Sequence, residues 1–314
     1  MNNPRRIFLS QISVMAGAAT LCKPMASAAA ITKHINTLHS AKNAVTVYHT
    51  NDIKGNIDTV YKNMGGLNLI KAELQMQEIS GLLLDAGNFI NGSHSIYQHK
   101  QLIAVMNNMG YHAAGIGSQE LAPGQDYLAT LAATMKFPLL NCNYEFTGNL
   151  KNRVKPYTII TTGRFRVGIT AVGSQVSGVK YNDAIASANK FASILKNDEK
   201  CDLVICLSHL GYMVEGDAPD NQKLAAQSEN IDLIIGSDNK KLTLNPMILA
   251  NKLKHEVILS QTAWDGLMMG RTVINFDSNK QKYGLIPQHI IPGVPSKSFA
   301  ASFADLRLAK PKQV

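Results

Sequence analysis

The chain has 314 residues, enough for one large domain or two ordinary ones, and its 45% hydrophobic content is typical of a globular protein rather than a disordered one. Its net charge is +9, from 31 Lys and Arg against 22 Asp and Glu, but the basic residues form no block and only 6% of residues are aromatic. A scattered positive charge with few stacking side chains indicates a solvated surface and argues against nucleic-acid binding.

The N-terminal segment has the features of an export signal. Arg5 and Arg6 are adjacent and precede a moderately apolar stretch over 12–21, which is shorter than the roughly 20 residues that span a bilayer. Small residues follow at 26–29, as at a signal-cleavage site. We therefore predict a twin-arginine-type signal peptide over 1–28, so that the protein is periplasmic or otherwise exported across the bacterial inner membrane.

Other interpretations of this segment are weaker. An uncleaved membrane anchor is the alternative, which the short apolar stretch disfavours. Lipid attachment at Cys22 is disfavoured because Leu21 stands where a small residue is usual. Residues 29–42 are expected to be an exposed segment, and no later apolar run is long enough to predict a transmembrane segment in the mature chain.

Cys142, Cys201 and Cys206 remain after removal of the signal. An odd number of cysteines, with Cys201 and Cys206 predicted to face opposite ways on one strand, does not indicate a disulfide framework. We expect them to be small core residues.

The first half of the chain alternates apolar runs with amphipathic stretches. Short apolar or β-branched runs predict buried strands, and apolar residues recurring at helical spacing predict helices. In chain order these are a strand over 45–50, a helix over 67–79, a strand over 81–85, a helix over 96–109, a strand over 113–117, a helix over 124–135 and a strand over 137–142. Continuous apolar strands between helices indicate a sheet covered on both faces.

The second half begins with a hairpin pattern and ends in strands. The predicted order is a hairpin over 157–172, a helix over 183–196, a strand over 203–208, a helix near Leu224, and strands over 231–235, 257–260, 271–277 and 283–291. This order fits two packed sheets flanked by helices. We predict one domain over 43–295, followed by a loosely attached, polar basic tail over 296–314.

Small polar clusters follow five of the predicted strands. They lie at 51–55, 85–88, 117–120, 208–211 and 236–240. Ligands of α/β proteins bind at the carboxyl ends of strands, so we expect these clusters to converge on one site.

The same clusters resemble the motifs of the 5'-nucleotidase family of calcineurin-like metallophosphoesterases. His-Thr-Asn-Asp-Ile-Lys-Gly at 49–55 resembles His-Thr-Asn-Asp-Leu-His-Gly, and Leu-Leu-Asp-Ala-Gly-Asn at 83–88 resembles Leu-Leu-Asp-Ala-Gly-Asp. Residues 117–120 resemble Gly-Asn-His-Glu, Leu-Ser-His-Leu-Gly at 207–211 fits without change, and 231–240 resemble Ile-Asp-Leu-Ile-Ile-Gly-Gly-His-Ser-His. The resemblance implies an α/β fold, a four-layer α/β/β/α sandwich of two mixed sheets as in metallo-dependent phosphatases.

The resemblance also implies a site for two divalent metals, such as zinc or manganese, that activates water for phosphate-ester hydrolysis. Of its seven ligand positions, Asp52 and His209 keep the family's residue type, one for each metal. The other five positions are occupied by Lys54, Asn88, Ser118, Asp238 and Lys240. A lysine ammonium has no lone pair for a metal, and a neutral amide lacks the charge of a bridging carboxylate.

The resemblance places Gln119 and Ala122 at the positions of the catalytic His and the acid that orients it. We therefore expect a pseudoenzyme without metal, in which Lys54 and Lys240 pair with Asp52, Asp238 faces His209, and no residue is confidently catalytic. Asp52 and His209 are the residual metal candidates.

Three alternatives in function remain open. The chain is a non-catalytic binding protein for a partner or an anionic ligand such as phosphate, held by the lysines; or an active phosphoesterase with a rearranged, even single-metal, site; or a subunit of a complex. The last rests on the family's second, nucleoside-binding domain, which we do not find in this sequence and which a separately encoded exported protein could supply.

Overall fold

The computed structural model describes residues 43–77, 80–237, 243, 245–294 and 298–306. The predicted signal peptide over 1–28, the segment over 29–42, Asp238 and Lys240 lie outside these residues. No helix in the described ranges is long and apolar enough to cross a membrane.

The helices and strands alternate through most of the chain. The helices are α1 (Leu67–Met76), α2 (Ile96–Met109), α3 (Ser118–Leu121), α4 (Gln125–Ala132), α5 (Ala184–Ser193), α6 (Asn221–Gln227) and α7 (Phe299–Leu306). The strands are β1 (Ala44–Thr50), β2 (Leu82–Asp85), β3 (Ala113–Gly115), β4 (Leu139–Leu140), β5 (Tyr144–Glu145), β6 (Val154–Lys155), β7 (Tyr157–Thr162), β8 (Phe165–Gly173), β9 (Lys180–Tyr181), β10 (Leu203–His209), β11 (Leu233–Gly236), β12 (Met247–Ala250), β13 (Glu256–Ser260), β14 (Met269–Phe276) and β15 (Lys282–Ile290).

Two mixed sheets form the centre of the fold. A seven-stranded sheet has the order β15-β14-β1-β2-β3-β4-β6, and a six-stranded sheet has the order β12-β13-β11-β10-β8-β7. Pairing is parallel from β1 to β6 and from β13 to β8, and antiparallel where β14, β15, β12 and β7 join. Parallel strands place their carboxyl ends at the same edge of a sheet, which is where the polar clusters lie.

Three apolar layers hold the sandwich together. Val45 and Val47 on β1 face a middle core between the two sheets, whereas Tyr48 faces the outer core that packs against α2. Cys206 on β10 belongs to a third core beneath α5 and α6. Alternation of side chains along a strand covered on both faces produces this layering. The predicted four-layer α/β/β/α fold class is confirmed.

Local signals explain most element boundaries. Helix α2 covers the predicted range because the Ser95 side chain and Gln98 form a capping box at its start and Gly110 ends it with a left-handed φ of 78°. The predicted helix over 183–196 starts at the Asp183 cap and continues beyond Ser193 as a π-helix over Ile194–Asp198. The edge strand β12, the short strand β6 and the small β5–β9 pair were not among the predicted strands.

Cys142, Cys201 and Cys206 are the cysteines within the described residues. Cys201 and Cys206 are buried and, like Cys142, free, and Cys201 precedes β10 instead of lying on it.

Residues 299–306, which we expected in a polar basic tail, form α7, because Phe303 and Leu306 are buried against a cluster that contains Trp264. A loosely attached tail is therefore the wrong description for these residues.

Candidate functional site

The five polar clusters meet at one place. Asp52 follows β1 and Asn88 follows β2, while His209 ends β10 and Ser237 follows β11. Hydrogen bonds join Asn88 and Ser237 to Asp52, and His209 to Ser237. The backbone N–H of Gln119 completes the set by donating to Asn88 Oδ1. The predicted convergence is therefore present in the fold.

Asp52 is held by neutral donors. Its side chain is buried, and Oδ1 accepts from Asn88 Nδ2 at 3.2 Å. Oδ2 accepts from Asn51 Nδ2 at 3.0 Å and from Ser237 Oγ at 3.1 Å. Hydrogen bonds to an ionised carboxylate are stronger than those between neutral groups, so this arrangement stabilises the carboxylate without a cation in the described residues.

The orientation of the Asn88 amide is determined by its surroundings. Asn88 Oδ1 accepts from the backbone N–H of Gln119 at 2.9 Å, and a backbone N–H can only donate. The Nδ2 end must therefore face Asp52. An aspartate at this position would place a second carboxylate against the first, which requires a cation or a proton between them.

Ser237 Oγ determines the tautomer of His209. Ser237 Oγ lies 3.1 Å from Asp52 Oδ2 and 3.3 Å from the Gly87 carbonyl oxygen, and both of those atoms accept only. The single hydroxyl proton must point toward them, so His209 Nδ1, 2.8 Å away, carries the hydrogen that it donates to Ser237. His209 Nε2 is then a buried lone pair, and it has no hydrogen-bond partner among the residues that the structure describes.

Glu120 organises the loops around these groups. Its buried carboxylate accepts backbone N–H groups of Asn88 at 2.8 Å, Ile90 at 3.1 Å and Gly117 at 2.8 Å. Burial raises the pKa of Glu120, and the three N–H groups counteract that rise. A Cβ at Gly117 would clash with Asn88 Oδ1 and lie 2.8 Å from His209 Nε2, so the cluster closes only over glycine.

A third buried carboxyl, that of Asp85, lies at the end of β2. Thr50 Oγ1 donates to Asp85 Oδ2 at 2.6 Å and contacts the Tyr111 hydroxyl at 2.8 Å, while Gly87 N donates to Asp85 Oδ1. Complete burial raises the pKa of Asp85 well above its usual value. These polar contacts fix the turn that carries Asn88.

Three residues of the site that are not glycine have a left-handed backbone conformation. The φ angles are 52° at Asp52, 51° at Lys54 and 55° at Asn88. This conformation is uncommon for residues with a Cβ and concentrates at functional positions.

Lys54 does not form the ion pair with Asp52 that its position in the motif led us to expect. It is half-buried, and it forms no ion pair with Asp52 or with any other acid in the described ranges. The predicted partner Lys240 and the predicted contact of Asp238 with His209 lie outside those ranges. The expected pairing of Lys54 with Asp52 is therefore not found in the part of the chain that the structure describes, where Asn51, Asn88 and Ser237 donate to that carboxylate.

Gln119, Ser118 and Ala122 lie along α3 and just after it. Gln119 Oε1 accepts from Gly92 N at 2.9 Å, so its Nε2 donor is turned the other way. Ala122 is exposed and contributes no acid to orient Gln119. Sequence reasoning placed Asn51, Glu120 and Ser237 in polar clusters without assigning them roles; their positions directly beside strand ends were the available signal.

The described residues do not fit a two-metal centre. No group of three or more His, Cys, Asp or Glu side chains that could hold a metal ion is found in those residues. Asp52 and His209 are joined through Ser237, and the Asn88 amide directs a hydrogen at Asp52 where a bridging ligand would direct lone pairs.

Comparison with known proteins gives relatives in sequence and in fold. No protein-family model matches the chain. The trifunctional nucleotide phosphoesterase protein YfkN of Bacillus subtilis is 25% identical over 276 residues, which cover 74% of this chain and 18% of that protein. The 5'-nucleotidase precursor of Thermus thermophilus superposes with a TM-score of 0.69 at 22% identity, over 86% of this chain and 60% of that one.

A shorter solved structure matches along nearly its whole length. The calcineurin-like phosphoesterase structure of YfkN has a TM-score of 0.62 at 20% identity and covers 85% of this chain and 98% of that one. The chain thus spans less than two thirds of the full YfkN protein and of the Thermus 5'-nucleotidase. Sequence and fold together point to the 5'-nucleotidase family of calcineurin-like phosphoesterases, which confirms the resemblance seen in the motifs.

Proposed function

We propose that this protein is an exported, non-catalytic member of the family that binds an anionic ligand at its altered site. The hydrogen bond from Asn88 Nδ2 to Asp52 Oδ1 carries the proposal. It replaces the bridge expected between two metals with a contact that needs no metal. The altered catalytic positions, Gln119 and Ala122, support the same conclusion because an amide at neutral pH neither gives nor takes a proton.

The ligand class follows from the donors at the site. Lys54 Nζ and Gln119 Nε2 have no acceptor in the described residues, whereas the carboxylates of Asp52 and Glu120 are occupied by donors. A site with spare donors and satisfied carboxylates suits an oxyanion such as phosphate.

The first test measures metal and activity together. Purified mature protein is analysed for zinc and manganese, and assayed on p-nitrophenyl phosphate and AMP with each metal added. We expect less than stoichiometric metal and no turnover. Near-stoichiometric metal with turnover would establish the alternative of an active phosphoesterase with a rearranged site.

The matched control is the same scaffold with the family's residues restored. It combines Lys54→His, Asn88→Asp, Ser118→Asn, Gln119→His, Ala122→Asp, Asp238→His and Lys240→His. Metal binding by this variant under the conditions in which the natural protein binds none shows that the assay detects a competent site.

The second test measures ligand binding directly. Phosphate and nucleotides are titrated in a thermal-shift assay, where a ligand at a hundred times its Kd stabilises the folded state by about 2.7 kcal/mol. Lys54→Met should remove the shift and Lys100→Met, an exposed lysine on α2, should retain it. An equal loss in both variants, or no shift in the natural protein, contradicts the proposed ligand class.

Export is tested with the full chain in cell fractions. The protein should be recovered from the periplasm, and Arg5→Lys with Arg6→Lys should retain it in the cytoplasm. Affinity purification from the periplasm then tests for a protein partner. One stoichiometric companion would favour the role of complex subunit, and recovery of the chain alone would count against it.

A further inference from the structure

A closed loop beside the site encloses a lysine side chain. The loop covers 211–220, between β10, which ends at His209, and helix α6. Its two ends are joined because Asn221 N donates to the Gly211 carbonyl oxygen at 2.8 Å. A surface loop of this length with its ends in contact has the form of a compact Ω-type loop.

The lysine is Lys223, whose ammonium group enters the loop from the first turns of α6. Nζ donates to three backbone carbonyl oxygens, those of Val214 at 3.1 Å, Gly216 at 2.6 Å and Ala218 at 2.7 Å. An ammonium has three hydrogens, so all three are used. Asp220 Oδ2 lies 3.3 Å from the same nitrogen and adds a negative charge.

Asp220 belongs to the loop as much as to the helix. Its carboxylate is buried and accepts two backbone hydrogen bonds, from Lys223 N at 2.7 Å and from Val214 N at 3.0 Å. The carboxylate therefore caps α6 and closes the loop at the same time. Its position is fixed independently of the ammonium group.

The oxygens around Nζ form the ligand set of a hard cation. Carbonyls of alternate residues and one carboxylate converge on one point, the donor chemistry with which proteins hold calcium, and carbonyl cages also hold potassium. Without a positive charge at the centre, the negative ends of three carbonyl dipoles and a carboxylate would face one another in a partly buried place.

We propose that loop 211–220 is a cation-binding loop whose cation is supplied by the chain itself, as the ammonium group of Lys223. The proposal does not depend on the role of Asp52 and His209. It predicts that the loop stays folded only with a cation inside, and that a soluble cation substitutes when the lysine charge is removed.

The experiment compares Lys223→Met with Lys100→Met, which removes an exposed lysine from another helix. Amide hydrogen exchange is followed in peptides covering 212–223, which contain the hydrogen-bonded N–H groups of Val214, Asn221 and Lys223 that close the loop. We expect exchange in this loop to rise about tenfold or more in Lys223→Met and to be unchanged in Lys100→Met, because hydrogen bonds to a charged group are the strong ones.

Rescue identifies the cation site. Potassium, ammonium or calcium chloride should restore slow exchange in Lys223→Ala, whose short side chain leaves the place of the ammonium free. Tetramethylammonium chloride at the same ionic strength should not restore it, because its methyl groups block the carbonyls. Unchanged exchange in Lys223→Met overturns the proposal. Rapid exchange that none of the small cations reverses also overturns it, since the lysine would then act only as a packing group.

A measurement on the natural protein covers the case in which Lys223→Met does not fold. Acetylation of lysines by acetic anhydride is followed by mass spectrometry under native conditions. Lys223 should react about tenfold or more slowly than Lys100, because its three N–H groups are held by carbonyls. Equal reactivity of the two lysines would show that the ammonium is not enclosed.

Discussion

The side-chain amide of Asn88 donates to the buried carboxylate of Asp52 across 3.2 Å, and its carbonyl end is held by the backbone N–H of Gln119. An aspartate at position 88 could still accept from the Gln119 N–H, but it would lose the contact with Asp52, because a carboxylate has no hydrogen to donate. The amide thus fits a site without a bridging cation, and the surrounding donors are placed to complete it.

Asn88→Asp should therefore destabilise the metal-free protein. A second carboxylate beside Asp52 loses one hydrogen bond and adds repulsion in a buried place, which we expect to cost about 3 kcal/mol at pH 7. The repulsion raises the pKa of the new carboxyl in the folded state. The penalty is therefore full above that raised pKa and disappears as the pH falls below the unfolded value of about 3.9.

Urea unfolding at pH 7 and at pH 4 measures this effect. Asn197→Asp, an asparagine-to-aspartate change at an exposed position on the π-helix, is the control and should change the free energy of unfolding by less than about 0.5 kcal/mol. Equal stability of Asn88→Asp and the natural protein at pH 7 would contradict the hydrogen-bond assignment.

Gly117→Ala tests how closely the cluster is packed. The added Cβ would clash with Asn88 Oδ1 and press on His209 Nε2, and neither can retreat, so we expect a loss of about 2–3 kcal/mol. Gly110→Ala separates steric from backbone effects. Gly110 has a positive φ of 78° and open space where a Cβ would lie. Alanine there should therefore reduce the stability only through backbone strain, by about 1 kcal/mol. Thermal unfolding of both variants gives the comparison, and a smaller loss at Gly117 would count against close packing.

His49 should contribute to acid unfolding. Burial, with a smaller repulsion from His289, lowers its pKa to about 3. The unfolded chain binds a proton there from about pH 6.5 downward, so this residue's contribution is complete above that pH and is lost progressively toward pH 3, at up to about 1.4 kcal/mol per pH unit. His49→Gln should lose less stability between pH 7 and pH 5 than the natural protein does. Identical losses in urea unfolding at the two pH values would refute this.

Phe303→Ala tests the docking of α7. Phe303 is buried in the cluster that contains Trp264, and its truncation should cost about 3 kcal/mol. Asp305→Ala on the same helix removes an exposed ion pair with Lys62 at 3.4 Å and should cost less than about 1 kcal/mol. If denaturant unfolding gives the same small loss for both, α7 does not contribute to the stability of the domain.

The sequence predicted where the site lies in the fold, but not which groups bond to Asp52. Continuous apolar strands with polar residues at their ends were sufficient to bring Asp52, Asn88 and His209 together, because strand direction alone places those ends at one edge. The sequence could not establish the pairing of Lys54 with Asp52, which is not found in the described part of the chain, because motif position says nothing about a side chain's direction on a left-handed backbone.

The Ser237 contact and helix α7 were also not predicted, because both depend on residues that are distant in the sequence. The Ser237 contact depends on the distance between two sheets, which no local pattern encodes. Helix α7 was missed because it is short and follows a proline- and lysine-containing stretch, and because its stability comes from Trp264 and neighbouring residues far away in sequence.

The hydrogen bond from Ser237 to Asp52 also has a mechanical consequence. Asp52 follows a strand of the seven-stranded sheet and Ser237 follows a strand of the six-stranded sheet, so this bond fastens one sheet to the other at their common edge. The apolar layer between the sheets holds them together by close packing, but it contributes no directional bond at this edge. The directional hydrogen bond from Ser237 to Asp52 therefore opposes sliding of one sheet past the other at this edge.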